Sequence, residues 1–154
     1  MKVKNQHFRS IWLDPTSPIV NVIDQRRLPF EFLIRQLETV EDVAWAISDM
    51  VVRGAPLIGV SAAYGLFLAA SKDPTDNNLN NAANLLLDAR PTAVNLRWAV
   101  EKLLHSLASE APSERPQIAR LAAEKLGEED ILTNSNIGDN GLLILNQIHQ
   151  NKKT

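Results

Sequence analysis

Val51-Val52-Arg53-Gly54-Ala55-Pro56-Leu57-Ile58-Gly59 reads as the end of one helix, a sharp turn and the start of another. Pro56 suits a first helical position, because its missing N–H would be unpaired there anyway and its φ is already helical. A helix start points free backbone N–H groups at one spot and carries the positive end of the dipole. With Arg53 beside it, the turn suits an anion such as phosphate or carboxylate. The same residues have a plainer reading, in which Arg53 is a solvated helix C-cap and Gly54 an αL stop.

Working outward, the helix before the turn begins near Thr39. Thr39 with Asp42 resembles a capping box, with Asp in place of the usual Glu. Val40, Val43, Ala44, Ile47 and Val51 then share one face, and the helix is expected to stop at Arg53-Gly54. The helix after the turn runs from Pro56 to about Ser71. It is apolar nearly all round, which predicts the central, buried helix. Its apolar run, Leu57 to Ala70, is too short to cross a bilayer. Gly59, Ala62, Ala63 and Gly65 are small enough to let neighbouring helices come close.

Four further helical stretches follow. Leu79 to Ala89 carries a stripe of Leu79, Ala82, Ala83 and Leu86, and Arg90-Pro91 ends it. Thr92 is expected to cap the next helix, whose stripe includes Leu96, Val100, Leu103, Leu104 and Leu107. Arg115-Pro116 to Gly127 makes another helix, expected to turn Ile118, Leu121, Ala122 and Leu126 inward. Glu128 to Ile148 is helical in pattern, with a break expected in the Asn- and Gly-rich stretch 134–141. Upstream, residues 10–13, 19–24 and 30–37 have strand composition and tight links, which predicts an antiparallel meander. The fold class is therefore α+β, mainly α: a small β meander (residues 8–38) leading into a bundle of about five helices (residues 39–150), as a single domain over 1–154. No alternating βαβ pattern is present, so no Rossmann-type unit is expected within the chain.

Composition narrows the chemistry. The 154 residues are 45% hydrophobic and 22% charged, as in an ordinary globular domain, and the formal net charge is −2. That charge gives no reason to expect nucleic acid or an anionic membrane as a partner. There is no cysteine, which excludes disulfides, thiolate metal sites and a thiol nucleophile from the chain. Residues 1–7 have no apolar core and do not read as a signal peptide, so a cytoplasmic location is the expectation.

A second turn, Ala89-Arg90-Pro91-Thr92-Ala93-Val94-Asn95-Leu96, repeats the logic of the first. Arg53 and Arg90 could converge on one phosphate, or each could end a helix and face water. His7, His105 and His149 have no spacing that suggests a metal site. Glu128-Glu129-Asp130 reads as an acidic helix start. Asp24 reads as part of an exposed charged link with Gln25-Arg26-Arg27, or as a helper in anion binding. Trp12, Trp45 and Trp98 read as core or interface anchors.

Val51 to Gly65 closely resembles the "RGAPAIGVAAAYG" signature of methylthioribose-1-phosphate isomerases. Arg90 to Leu96 resembles their "RPTAVNL", and Ile23 to Pro29 their "LDQTRLP". The resemblance spans about residues 8–148, and the superfamily includes ribose-1,5-bisphosphate isomerase and the regulatory subunits of translation initiation factor 2B. It implies an N-terminal domain of a two-domain, homodimeric, cofactor-free enzyme that converts 5-methylthioribose 1-phosphate to 5-methylthioribulose 1-phosphate in methionine salvage. It assigns the substrate's phosphate to Arg53, Gly54 and Ala55 at the first turn and Arg90 at the second. The family's catalytic cysteine and aspartate lie in a C-terminal Rossmann-like domain. No catalytic residue is therefore expected here, and the chain alone is expected to be inactive. Arg97 stands where the family usually has an aromatic or apolar residue. The rival expectation is a non-catalytic interaction module related to the factor 2B subunits. A partly apolar exposed patch beside the two arginines, with self-association through it, is also expected.

Overall fold

The computed structural model of the chain describes residues 2–3 and 5–152. Two short strands, β1 (Lys2–Val3) and β2 (Gln6–His7), pair as a hairpin that the sequence did not suggest. The meander follows as expected: β3 (Ile11–Leu13), β4 (Val20–Ile23) and β5 (Ile34–Leu37) form an antiparallel sheet in that order. Val20 faces both Leu13 and Leu37, and Ile23 faces Ile34. The third strand starts four residues later than its composition suggests. The Arg27 carbonyl accepts the N–H groups of Phe30 and Glu31, so the chain turns there, and Phe30 is 95% exposed.

Among the described residues, five helices complete the fold: α1 (Val40–Ser48), α2 (Ala55–Lys72), α3 (Asp76–Ala89), α4 (Val94–Ala108) and α5 (Arg115–Asn151). The Thr39 capping box forms as expected. Thr39 Oγ1 accepts the Asp42 N–H at 3.1 Å, and the Asp42 carboxylate accepts the Thr39 N–H at 3.0 Å. Thr75 caps α3 through its hydroxyl alone, which accepts the Asn78 N–H at 3.4 Å. Thr92 does not cap α4; the N-cap is Ala93, which offers no side-chain acceptor.

The core is built around α2, which packs against α1, α3, α4 and α5. All residues from Ile58 to Ala70 are buried. In length and hydropathy α2 could cross a membrane, but most of it is enclosed by these neighbours and it is the core helix. Full burial of a side chain such as Leu66 contributes about 2 kcal/mol. The small residues matter where helices touch. A Cβ on Gly59 would lie 2.9 Å from the Asn95 carbonyl oxygen, and one on Gly65 about as close to Leu86.

Helix α5 differs most from expectation. It runs unbroken for 37 residues, so residues 134–141 do not break it, and Glu128-Glu129-Asp130 lies mid-helix. Ala119 and Ala123 form its buried face, while Leu121 is 54% exposed rather than turned inward. Beyond Ile131 the helix meets almost nothing, and Leu142, Leu143, Ile144 and Leu145 are all exposed. Trp45 and Trp98 lie at the surface, under the cations of Arg26 and Lys102 respectively, not in the core.

Candidate functional site

The plain reading of the central turn does not hold. Helix α1 ends at Ser48, and the left-handed residue that stops it is Met50 (φ +59), not Gly54. Residues 49–54 form a connecting turn in which the Val52 N–H donates to the Ala46 carbonyl. Gly54 is the N-cap of α2, at φ +98 and ψ 130, a conformation that favours glycine. The Ile58 N–H donates to the Gly54 carbonyl at 3.0 Å. Neither α2 nor α4 receives a side-chain cap, so their first amides have no partner within the helix.

The two helix starts are neighbours. Gly59, one turn into α2, abuts Asn95, the second residue of α4. Pro56, Gly59, Asn95 and Trp98 line one small cavity of about 140 Å³. Glu129 and Asp130 of α5 also line it, so that side of the helix starts already carries negative charge. Trp98 is half-exposed, and Val94, the residue before Asn95, is exposed.

The arginines at these starts differ from most others in the chain. Arg9, Arg26, Arg35, Arg97, Arg115 and Arg120 each meet a carboxylate. Among the described residues, Arg53 and Arg90 do not. Arg53 is exposed, and its Nη2 donates to the Gln25 carbonyl oxygen at 3.0 Å. Arg90 is half-buried and is the C-cap of α3. The two share no hydrogen-bonding partner. What the fold brings together is therefore the pair of helix starts, with one arginine preceding each. Helix α5 also starts uncapped, but its Arg115 is buried and turned onto the carbonyls of Glu110 and Pro74 and the Asp76 carboxylate.

Asp24 is not part of an exposed link. It is wholly buried, and its carboxylate accepts Arg26 Nε at 2.9 Å, Arg26 Nη2 at 2.8 Å and Arg35 Nε at 3.3 Å. The Arg26 hydrogen bonds hold its pKa down to about 2 against the opposing effect of burial. Arg26 also pairs with Asp49 and lies 5.3 Å from the Trp45 ring centroid. A sequence signal for this network exists: an aspartate at the end of one strand with Arg35 on the strand paired to it.

A cleft of about 940 Å³ lies elsewhere, between residues 7–13 and α5. Arg9, Trp12, Tyr64 and Lys125 are among its walls, and Arg9 pairs with Glu128 across it. Neither Arg53 nor Arg90 lines it. The described residues contain no cluster of His, Cys, Asp or Glu that could hold a metal ion.

Residues 51–152 match the initiation factor 2 subunit family. The chain belongs to that family. Within it, 99% of the chain aligns at 46% identity with methylthioribose-1-phosphate isomerase of Sinorhizobium medicae. The chain spans 42% of that relative's length and is homologous to the N-terminal part of such isomerases. Two solved structures share the fold. The delta subunit of translation initiation factor eIF-2B from A. fulgidus superposes with a TM-score of 0.73 at 37% identity, over 81% of this chain and 38% of that one. The 5-methylthioribose 1-phosphate isomerase of Pyrococcus horikoshii OT3 gives 0.70 at 34% identity, over 79% of this chain and 36% of that one. This initiation factor 2 family member therefore shares its fold with an enzyme and with a translation-factor subunit.

Proposed function

We propose that this chain is the phosphate-holding part of an aldose–ketose isomerase acting on 5-methylthioribose 1-phosphate. One observation carries the reading. Two uncapped helix starts meet at Gly59 and Asn95, and each is preceded by an arginine with no carboxylate partner among the described residues. Free amides at a helix start and an unneutralised guanidinium both favour a phosphate dianion. The high identity to the Sinorhizobium isomerase supports the choice of substrate. On this reading Arg53, Gly54, Ala55 and Arg90 bind the phosphate, and the proton transfer between C1 and C2 belongs to residues outside the chain.

The test is an NMR titration of the chain with inorganic phosphate and with the sugar phosphate. Amides of residues 54–57 and 93–96 are expected to shift. The Arg53→Ala/Arg90→Ala double variant is expected to lose at least tenfold in affinity, since hydrogen bonds to charged groups contribute about 1.5–3 kcal/mol each. Equal shifts in both proteins would remove the site assignment. Isomerase turnover by the chain alone would refute the division of labour.

The second reading is a non-catalytic interaction module related to the factor 2B regulatory subunits. The likeness to the A. fulgidus delta subunit and the exposed apolar side chains of distal α5 favour it. It expects no response to phosphate. It also expects binding to a protein partner that survives Arg53→Ala and fails when Leu142 and Leu145 become Glu.

A further inference from the structure

Arg53 is held without being neutralised. Its Nη2 donates to a backbone carbonyl, that of Gln25, and no carboxylate reaches the guanidinium among the described residues. A carbonyl fixes direction and leaves the full charge for an incoming anion. It can do so only if its own peptide is fixed. The Gln25 N–H donates to the Val51 carbonyl at 2.9 Å, in the same turn that carries Arg53. The Asp24 N–H donates to the Leu33 carbonyl at 2.9 Å. The buried Asp24 carboxylate then accepts the Arg26 backbone N–H at 3.2 Å as well as the guanidinium groups of Arg26 and Arg35. Residues on both sides of the Gln25 peptide are thereby tied to one carboxylate, and Arg26 ties the same loop to Asp49 at the end of α1.

We propose that Asp24 is a positioning residue for Arg53, acting through the Gln25 peptide to aim the guanidinium at the start of α2. Its consequence for binding rests on the phosphate reading given above. Its structural content does not, because the orientation of Arg53 can be measured with no ligand present. A purely structural carboxylate would lower stability and leave Arg53 as it is.

The experiment compares guanidinium 15N–1H spectra of the wild-type chain and Asp24→Asn, with and without inorganic phosphate. Arg53→Lys identifies the Arg53 signals by their loss. In the wild type a rotationally restricted Arg53 Nη signal is expected. In Asp24→Asn it collapses into the averaged arginine envelope, the backbone spectrum stays native, and phosphate affinity falls about fivefold, as for one lost hydrogen bond. A folded Asp24→Asn chain with an unchanged Arg53 signal overturns the proposal. If Asp24→Asn does not fold, Arg26→Lys removes most of the grip on the carboxylate and keeps the charge, and an unchanged Arg53 signal there overturns the proposal equally. Phosphate shifts that are indifferent to Arg53→Ala would end the binding-site reading and leave the positioning result standing.

Discussion

Tyr64 is the only tyrosine in the chain, and it is 5% exposed in the middle of α2. Burial, reinforced by the charge of Glu124, pushes its pKa up to about 12. The folded value is above the unfolded one, near 10. The resulting stabilisation is complete below about pH 10 and is lost as pH rises toward 12. Phenolate absorbance is therefore expected to stay flat until about pH 11 and then rise together with loss of helical circular dichroism. Normal titration near 10 in a folded chain would contradict this. Asp24 has the opposite sign. Its pKa is depressed, so its contribution is present above about pH 4 and fades as pH falls toward 2. Urea unfolding in that interval is expected to show a shallower loss of stability for Asp24→Asn than for wild type. Single residues were unevenly legible. The Thr39 capping box needed only residues three apart. Asp24 was misread because its second guanidinium partner, Arg35, lies eleven residues on, on strand β5.

Among the elements, α2 and α4 approach each other closely at Gly59. The atom nearest a Cβ on Gly59 is a backbone oxygen, at 2.9 Å, which cannot swing aside as a side chain can. Gly59→Ala is expected to cost about 1–3 kcal/mol in urea unfolding, by forcing the two helices apart. Because the same contact joins the two helix starts, it is also expected to weaken phosphate shifts. Gly138→Ala meets nothing within 4 Å and is expected to strengthen its helix by about 0.5–1 kcal/mol. The helices themselves were legible wherever an apolar stripe or a threonine cap marked them. Their ends were less so. Helix α1 stops early because Met50 takes the left-handed conformation usually left to glycine. Asn and Gly at 134–141 do not break α5, because each lowers helix propensity by no more than about 1 kcal/mol. Thr133, Asn134 and Asn140 also bond back to carbonyls one turn earlier.

For the molecule as a whole, the distal part of α5 is the unusual feature. Residues 142–145 are consecutive and apolar, so they point to every side of the helix, a pattern that suits enclosure. Here they are 54–64% exposed. The chain is expected to self-associate as concentration rises, and Leu142→Glu/Leu145→Glu to restore a monomer with an unchanged melting temperature. Light scattering across a concentration series checks this. A wild-type chain that stays monomeric at every concentration would count against it. No sequence pattern announced that this surface would be bare, because periodicity records which side chains suit burial and not what buries them.

The same bare helix has a consequence for how the chain is cut. From Leu126 to Asn151 there is neither lysine nor arginine, so trypsin has no site along it. A protease that cleaves after leucine has Leu132, Leu142, Leu143 and Leu145, all solvent-facing. A helix segment without tertiary contacts opens locally far more often than a packed core unfolds. Digestion with such an enzyme would trim the chain back toward residue 132 and leave α1 to α4, with both helix starts and Arg53, in one piece.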